Sequence, residues 1–390
     1  MYPTAFLPLF LAQKIARLVG RDVQKTSGFT GSYCRPDRLK HPQEEFVVSQ
    51  VLSSSTQTRP ARASAPGETA SNRRRAGATL SRLAGAISHA SRRLSWQAGS
   101  LLFPEATSRA LEHLWFSPPR ARSTPDGLRL LDTARTEWAL VTGQGASRRV
   151  RVYRWGSKGP VILLAHGWGG EAGQWHAVVS GLLAAGMRVV AFDALSHGAS
   201  DAGARGQDQS SIIEMARSLL AVAWHVGPVH AVVAHSMGGA ATAHAIREGL
   251  PVRGVVMLGS PADMHTACST LAWQLGVAPH VQTRMERRSE QWLGTQWSTF
   301  NVPDVGRTRP VPPALVIHDR EDKEVRWEDG AAIAGAWPAA RLVTTQGLGH
   351  RRILRDATVI GHISGFVNDL QAIPPVHRMT SARTSPVTTI

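Results

Sequence analysis

The segment VHAVVAHSMGGAATAH, residues 229–244, decides how the rest of the chain is read. Ala231-Val232-Val233-Ala234 is a short apolar run of the kind that forms a buried strand. His235-Ser236-Met237-Gly238-Gly239 breaks that run sharply, and an alanine-rich helical segment continues through Ile246. Strand, sharp turn, helix is the setting of a nucleophile elbow, in which a strained serine holds its hydroxyl clear of the backbone. The residues two before and two after such a serine must be small, and here they are Ala234 and Gly238. Glycine is usual at both places, so Ala234 adds one methyl where strand and helix crowd together. The same residues also describe a serine N-cap, so the elbow has to be judged by its companions.

Three companions occur, each just after a predicted strand. The first is Ala165-His166-Gly167-Trp168-Gly169-Gly170, following the apolar run 160–165. Its glycines let the backbone curl and turn a peptide N–H inward. The N–H groups of Trp168 and Met237 are the expected pair of donors to a developing oxyanion, each worth about 3 kcal/mol of barrier. The second is His318-Asp319-Arg320-Glu321-Asp322-Lys323-Glu324-Val325. It offers a carboxylate to orient a histidine and stabilise its charged form. Asp322 is preferred because it lies a few residues beyond the strand and precedes Val325, which can anchor the loop; Asp319 is the alternative. The third is Gly347-Leu348-Gly349-His350. A histidine at a glycine-flanked tip can take the Ser236 proton and return it to a leaving group.

Outward from the elbow, buried strands alternate with amphipathic helices. Strands are expected at 137–142, 148–155, 160–165, 188–193, 254–258, 314–318 and 341–345 besides the elbow strand, the first two joined as a hairpin through Gly143-Gln144-Gly145. Helices are expected at 172–185, 210–224, 328–336 and 353–370. That alternation implies a mostly parallel sheet covered on both faces. Residues 261–310 interrupt it with helical pieces and Trp273, Trp292 and Trp297, which reads as a small cap over the sheet edge.

The first part of the chain is different. Net charge is +16 over 390 residues, and residues 1–125 hold 18 Lys and Arg against 7 Asp and Glu. Residues 1–78 are predicted to be a disordered basic segment, because 53–78 lack large apolar residues to offset ordering entropy. Arg73-Arg74-Arg75 has no interleaved aromatics, so a solvated linker is favoured over a nucleic-acid site. Residues 79–135 form a helical lead-in with Leu80, Leu83, Ile87, Ala90 and Leu94 at helical spacing; Leu101-Leu102-Phe103 and Leu114-Trp115-Phe116 follow as expected apolar anchors. The tail 371–390 is expected to be disordered. No apolar run approaches the length of a membrane span. Cys34 and Cys268 lie too far apart for a metal motif or a disulfide framework, which points to a reducing, cytoplasmic compartment. The apolar stretch near residues 5–12 is a weak signal-peptide candidate.

Ser236, Asp322 and His350 occur in the order nucleophile, acid, histidine. In that order, and in the stretches 166–170, 193–200, 234–238, 318–322 and 347–350, residues 136–370 resemble the α/β-hydrolases. The resemblance implies an α/β-hydrolase fold with an eight-stranded, mostly parallel sheet, helices on both faces and no metal or cofactor. It also implies a catalytic triad acting by acyl transfer on a small-molecule acyl substrate. Carboxylic esters are the favoured class, since their leaving group needs least help. A peptidase or thioesterase of the same fold, or a non-catalytic ligand- or partner-binding protein, is the alternative. Dehalogenases and epoxide hydrolases of this fold carry aspartate at the elbow, where this chain has Ser236. Three departures stand out: Ala234 for glycine, and Ser196 and Asp319 where glycine is common.

Overall fold

A computed structural model describes residues 90–120, 123–142 and 147–372. The expected disordered segment 1–78, the lead-in as far as residue 89, the hairpin loop around Gln144 and the tail from 373 lie outside the described residues. The chain divides into two compact units, residues 1–95 and 96–390, and the second carries all that follows.

Eight strands form one sheet: β1 (Arg135–Val141), β2 (Arg148–Trp155), β3 (Val161–Ala165), β4 (Arg188–Phe192), β5 (Val229–His235), β6 (Val252–Leu258), β7 (Ala314–Asp319) and β8 (Ala340–Thr345). Their order across the sheet is β1-β2-β4-β3-β5-β6-β7-β8. β2 runs antiparallel to β1 and β4, and every other pairing is parallel. The central strands are buried end to end, as their unbroken apolar runs require of parallel strands with helices on both faces.

Side-chain alternation sorts each strand between two cores. Ile162 and Leu164 of β3 join Ala231 and Val233 of β5 and Val256 and Leu258 of β6 on one face. Two helices cover that face, α3 (His176–Ala184) and α11 (Ala357–Ala372), through Val178, Val179 and Leu182 and through Ile363, Val367 and Leu370. The intervening residues Leu163, Val232, Val255 and Met257 are equally buried on the other face. There α4 (Ile212–Val226) packs with α5 (Met237–Arg247). Each fully buried Val or Leu contributes roughly 1.5–3 kcal/mol.

The segment between β6 and β7 is helical: α6 (Met264–Leu275), α7 (Pro279–Leu293), a 3-10 turn (Trp297–Phe300) and α8 (Val302–Thr308). Asp263 caps α6 by accepting from the Thr266 N–H at 2.9 Å, and Gly294 ends α7 at φ +71°. Before the sheet lie α1 (Pro104–Trp115) and α2 (Pro125–Asp132), and α1 packs directly on α7. Glu112 of α1 is the tie. Its buried carboxylate accepts from Arg288, from Trp292 Nε1 at 3.1 Å and from Arg205 at 3.3 Å. Phe116 adds an edge-on ring contact to Trp292 at 4.7 Å.

Three local expectations are corrected. Leu101, Leu102 and Phe103 are not buried as anchors among the described residues: they are 78%, 69% and 65% exposed, while Leu111 and Phe116 are buried. Residues 172–175 wind as a 3-10 turn before α3 begins. The last helix does not start at 353: after α9 (Trp327–Ala336) comes the short α10 (Gly349–Arg352), and α11 begins only at Ala357. The Asp356 carboxylate accepts from the Thr358 and Val359 N–H groups at 3.0 Å and so fixes a new N-terminus.

Candidate active site

Ser236 stands at the junction of β5 and α5 with φ +53° and ψ −128°, a conformation that costs a non-glycine residue of order 1–3 kcal/mol. Its own N–H donates to Leu258 O of the neighbouring strand at 2.8 Å, which holds the turn in place. Glycine two residues later is obligatory, because a Cβ on Gly238 would lie 2.4 Å from Ala165 O and 2.5 Å from His166 O. A Cβ on Gly167 would lie 2.9 Å from Ser236 Cβ, so this glycine lets the loop after β3 close over the serine. Ala234 is tolerated within β5, where its partner on β3 is the equally small Ala165.

β7 and β8 deliver the other two groups. Asp322, three residues beyond β7, accepts from His350 Nδ1 at 2.7 Å. Its second oxygen accepts from the Glu324 and Val325 N–H groups at 2.8 and 2.9 Å. Both side chains are shielded from solvent. Burial works to raise the Asp322 carboxyl, but the His350 hydrogen bond and charge and the two N–H donors outweigh it and hold it below its ordinary value. The pair sits over the end of β6, where a Cβ on Gly259 would meet Asp322 Oδ2 at 3.2 Å and His350 Nδ1 at 3.3 Å. Gly259 follows Leu258, the residue that receives the Ser236 N–H, so serine and histidine occupy neighbouring strand ends.

The structure thus brings Asp322 and His350 into contact. The Ser236 hydroxyl itself has no hydrogen-bond partner among the described residues, and His350 Nε2 lies 3.9 Å from Glu324 Oε2. Asp319 takes no part in the His350 contact. Its carboxylate is fully buried and accepts from Glu321 N, Leu348 N and Thr345 Oγ1. Trp168 follows Gly167 in the loop above the serine and is half-buried, and Met237 is the first residue of α5. A first-turn N–H has no partner within its helix.

The flanking histidines are braces. His166 donates from Nδ1 to Gly167 O at 2.7 Å and accepts from the Ala194 N–H at Nε2, at 2.9 Å. Burial pushes it down to about 4, so it stays neutral in that one tautomer. His197 pairs with Leu195 O at 3.0 Å and His235 with His350 O at 2.9 Å; burial first, then a neighbouring histidine, takes each down to about 3. Trp175 is fully buried in the core beneath the sheet and does not line the site.

The sequence singles out the stretch 193–200, but not the bonds its residues make. Asp193 is buried and accepts from Ala172 N, Ala199 N and Tyr153 Oη, tying together the loops after β3 and β4. Ser196 adopts φ +64°; its hydroxyl donates to Gly206 O and accepts from the Gly203 N–H, so a serine holds a left-handed turn where glycine is common. No three His, Cys, Asp or Glu side chains are grouped to hold a metal among the described residues.

The strand order and the helices on both faces define the class: the chain has the α/β-hydrolase fold, and residues 160–290 match the model of the alpha/beta hydrolase fold family. Among curated proteins, it is similar to protein phosphatase methylesterase 1 of Pongo abelii, 32% identical over 120 residues, covering 28% of this chain and 30% of that protein. A monoacylglycerol lipase of Mycolicibacterium smegmatis is 40% identical over 83 residues, 20% of this chain and 29% of that one. The chain therefore spans about a third or less of the length of these curated relatives. Among solved structures, an esterase from Rhodococcus aligns over 61% of this chain and 99% of its own, at 19% identity and a TM-score of 0.47.

Proposed function

We propose that the chain is a serine hydrolase acting by acyl transfer on carboxylic esters, with Ser236 as nucleophile, His350 as general base and acid, and Asp322 as the orienting carboxylate. The observation that carries this reading is the buried 2.7 Å hydrogen bond from His350 Nδ1 to Asp322, beside a serine in a strained turn. With Nδ1–H committed to Asp322, Nε2 is the atom left to accept a proton. His350 removes the Ser236 proton as Oγ attacks the ester carbonyl. The tetrahedral oxyanion is received by the Trp168 and Met237 N–H groups. Collapse expels the alcohol, protonated by His350, and leaves an acyl-enzyme. Water, deprotonated by His350, then releases the acid and restores Ser236.

Ester-hydrolase names among the relatives that match the central segment support the same reading. The reducing, cytoplasmic setting is part of this proposal and rests on cysteine usage alone. The substrate class is tested with a series of p-nitrophenyl esters alongside the matching thioesters and anilides. Turnover of esters that is lost in His350→Ala supports the proposal. Turnover confined to anilides or thioesters would move it to the peptidase or thioesterase alternative.

A further inference from the structure

Two aspartates three residues apart stand at the end of β7 and in the loop after it, and the hydrolase reading uses only Asp322. Asp319 is the last residue of β7 and is wholly buried. Its Oδ1 accepts from Glu321 N at 2.9 Å, within the loop that carries Asp322. Its Oδ2 accepts from Thr345 Oγ1 at 2.7 Å, at the end of β8, and from Leu348 N at 3.0 Å, in the loop that carries His350. One carboxylate therefore spans both loops. Burial works to raise it, yet the N–H groups of Gly349, Leu348 and Glu321 and the Thr345 hydroxyl together keep it below its ordinary value, so it remains an anion. The backbone adds a parallel link, Arg320 N to Thr345 O at 2.9 Å. On the opposite side, buried His318 pairs with Val325 O at 3.1 Å and holds the far end of the acid loop.

Resting on the hydrolase reading of the site, we propose that Asp319 is a positioning residue: its carboxylate clamps the His350 loop to the Asp322 loop and sets the His350–Asp322 geometry. A glycine at this place could accept none of these bonds, and Leu348 N would lose its partner two residues before His350. Removing the clamp lets the imidazole drift, and a misplacement of about 1 Å costs on the order of 10²-fold in rate. Asp319 touches no reacting atom, so substrate binding should be untouched.

The test uses the whole 390-residue chain as wild type, Asp319→Asn and Thr345→Val, with Ser236→Ala as blank. Three readouts are needed: the rate of fluorophosphonate labelling, kcat and KM on an aryl ester, and the low-field proton resonance of His350 Nδ1–H. Expected for Asp319→Asn is labelling and kcat about 10- to 100-fold slower, an unchanged KM, and a broadened or lost resonance with native circular dichroism. Thr345→Val should move the same readouts in the same direction by less. Wild-type labelling rates and an intact resonance in both variants would overturn the proposal. If Asp319→Asn does not fold, Thr345→Val decides alone, and wild-type behaviour there overturns it. A wild type that takes no label would sink the hydrolase reading instead; the resonance would still decide the clamp, and its persistence in both variants would overturn it.

Discussion

Asp322 and Asp319, three residues apart, meet the same segment differently: Asp322 meets the His350 ring at 2.7 Å, and Asp319, at the end of β7, meets the Leu348 N–H two residues earlier at 3.0 Å. One carboxylate faces the imidazole and the other faces the backbone that carries it. Substitution should therefore separate them by size of effect. Asp322→Asn is expected to lower kcat about 10⁴-fold, because the amide neither fixes the tautomer nor stabilises the imidazolium. Asp319→Asn should cost less. Steady-state kinetics on one ester checks the ranking, and the reverse order would mean the roles are exchanged.

The elbow has no room for a side chain at Gly238. Gly238→Ala would force its methyl against Ala165 O and His166 O, so β3 and α5 must separate. A loss of about 1–3 kcal/mol is expected, as for other overpacked sites. Urea unfolding measures it, and an unchanged midpoint would show that the turn can relax.

Stability should fall in mild acid. His166 is held at about 4, and His197 and His235 at about 3, against an unfolded value near 6.5. Below 6.5 the unfolded chain takes up protons that the folded chain refuses. The stability these residues provide is complete above pH 6.5 and is lost as pH falls towards 4 and then 3. Each unit of difference corresponds to about 1.4 kcal/mol. Urea midpoints at pH 7, 6 and 5 should decline in that order; a flat profile would mean the imidazoles are hydrated.

Glu112 joins α1 to α7 through Arg288, Trp292 and Arg205. Glu112→Ala strands these donors in a partly buried place and should cost about 1–3 kcal/mol. Adding Arg288→Ala should cost less than the sum of the two single changes. A double-mutant cycle by thermal unfolding reads this coupling, and strict additivity would show that the contact carries no energy.

Much of this was legible in the sequence because parallel strands buried on both faces must be continuous apolar runs. The runs in β3, β5 and β7 left little choice, and the turns after β5, β7 and β8 located Ser236, Asp322 and His350. What was not legible depends on contacts distant in the chain. Asp319 and Asp322 are chemically identical; distance beyond the strand favoured Asp322, but the bonds Asp319 makes to Thr345 and Leu348 appear only in the packing of the β8 loop. The Glu112 cluster links residues 176 apart. Helical spacing marks Leu101 as apolar but does not say whether anything covers it. The break before α11 turns on the Asp356 side chain, where the apolar pattern runs on unchanged.

The central claim is that Ser236 is an activated nucleophile. The most direct measurement is fluorophosphonate labelling of wild type, Ser236→Ala and His350→Ala, with the labelled peptide mapped by mass spectrometry. The account predicts one adduct, on Ser236, absent in Ser236→Ala and strongly slowed in His350→Ala. A folded wild type that takes no label, or a label elsewhere that persists in Ser236→Ala, would contradict it.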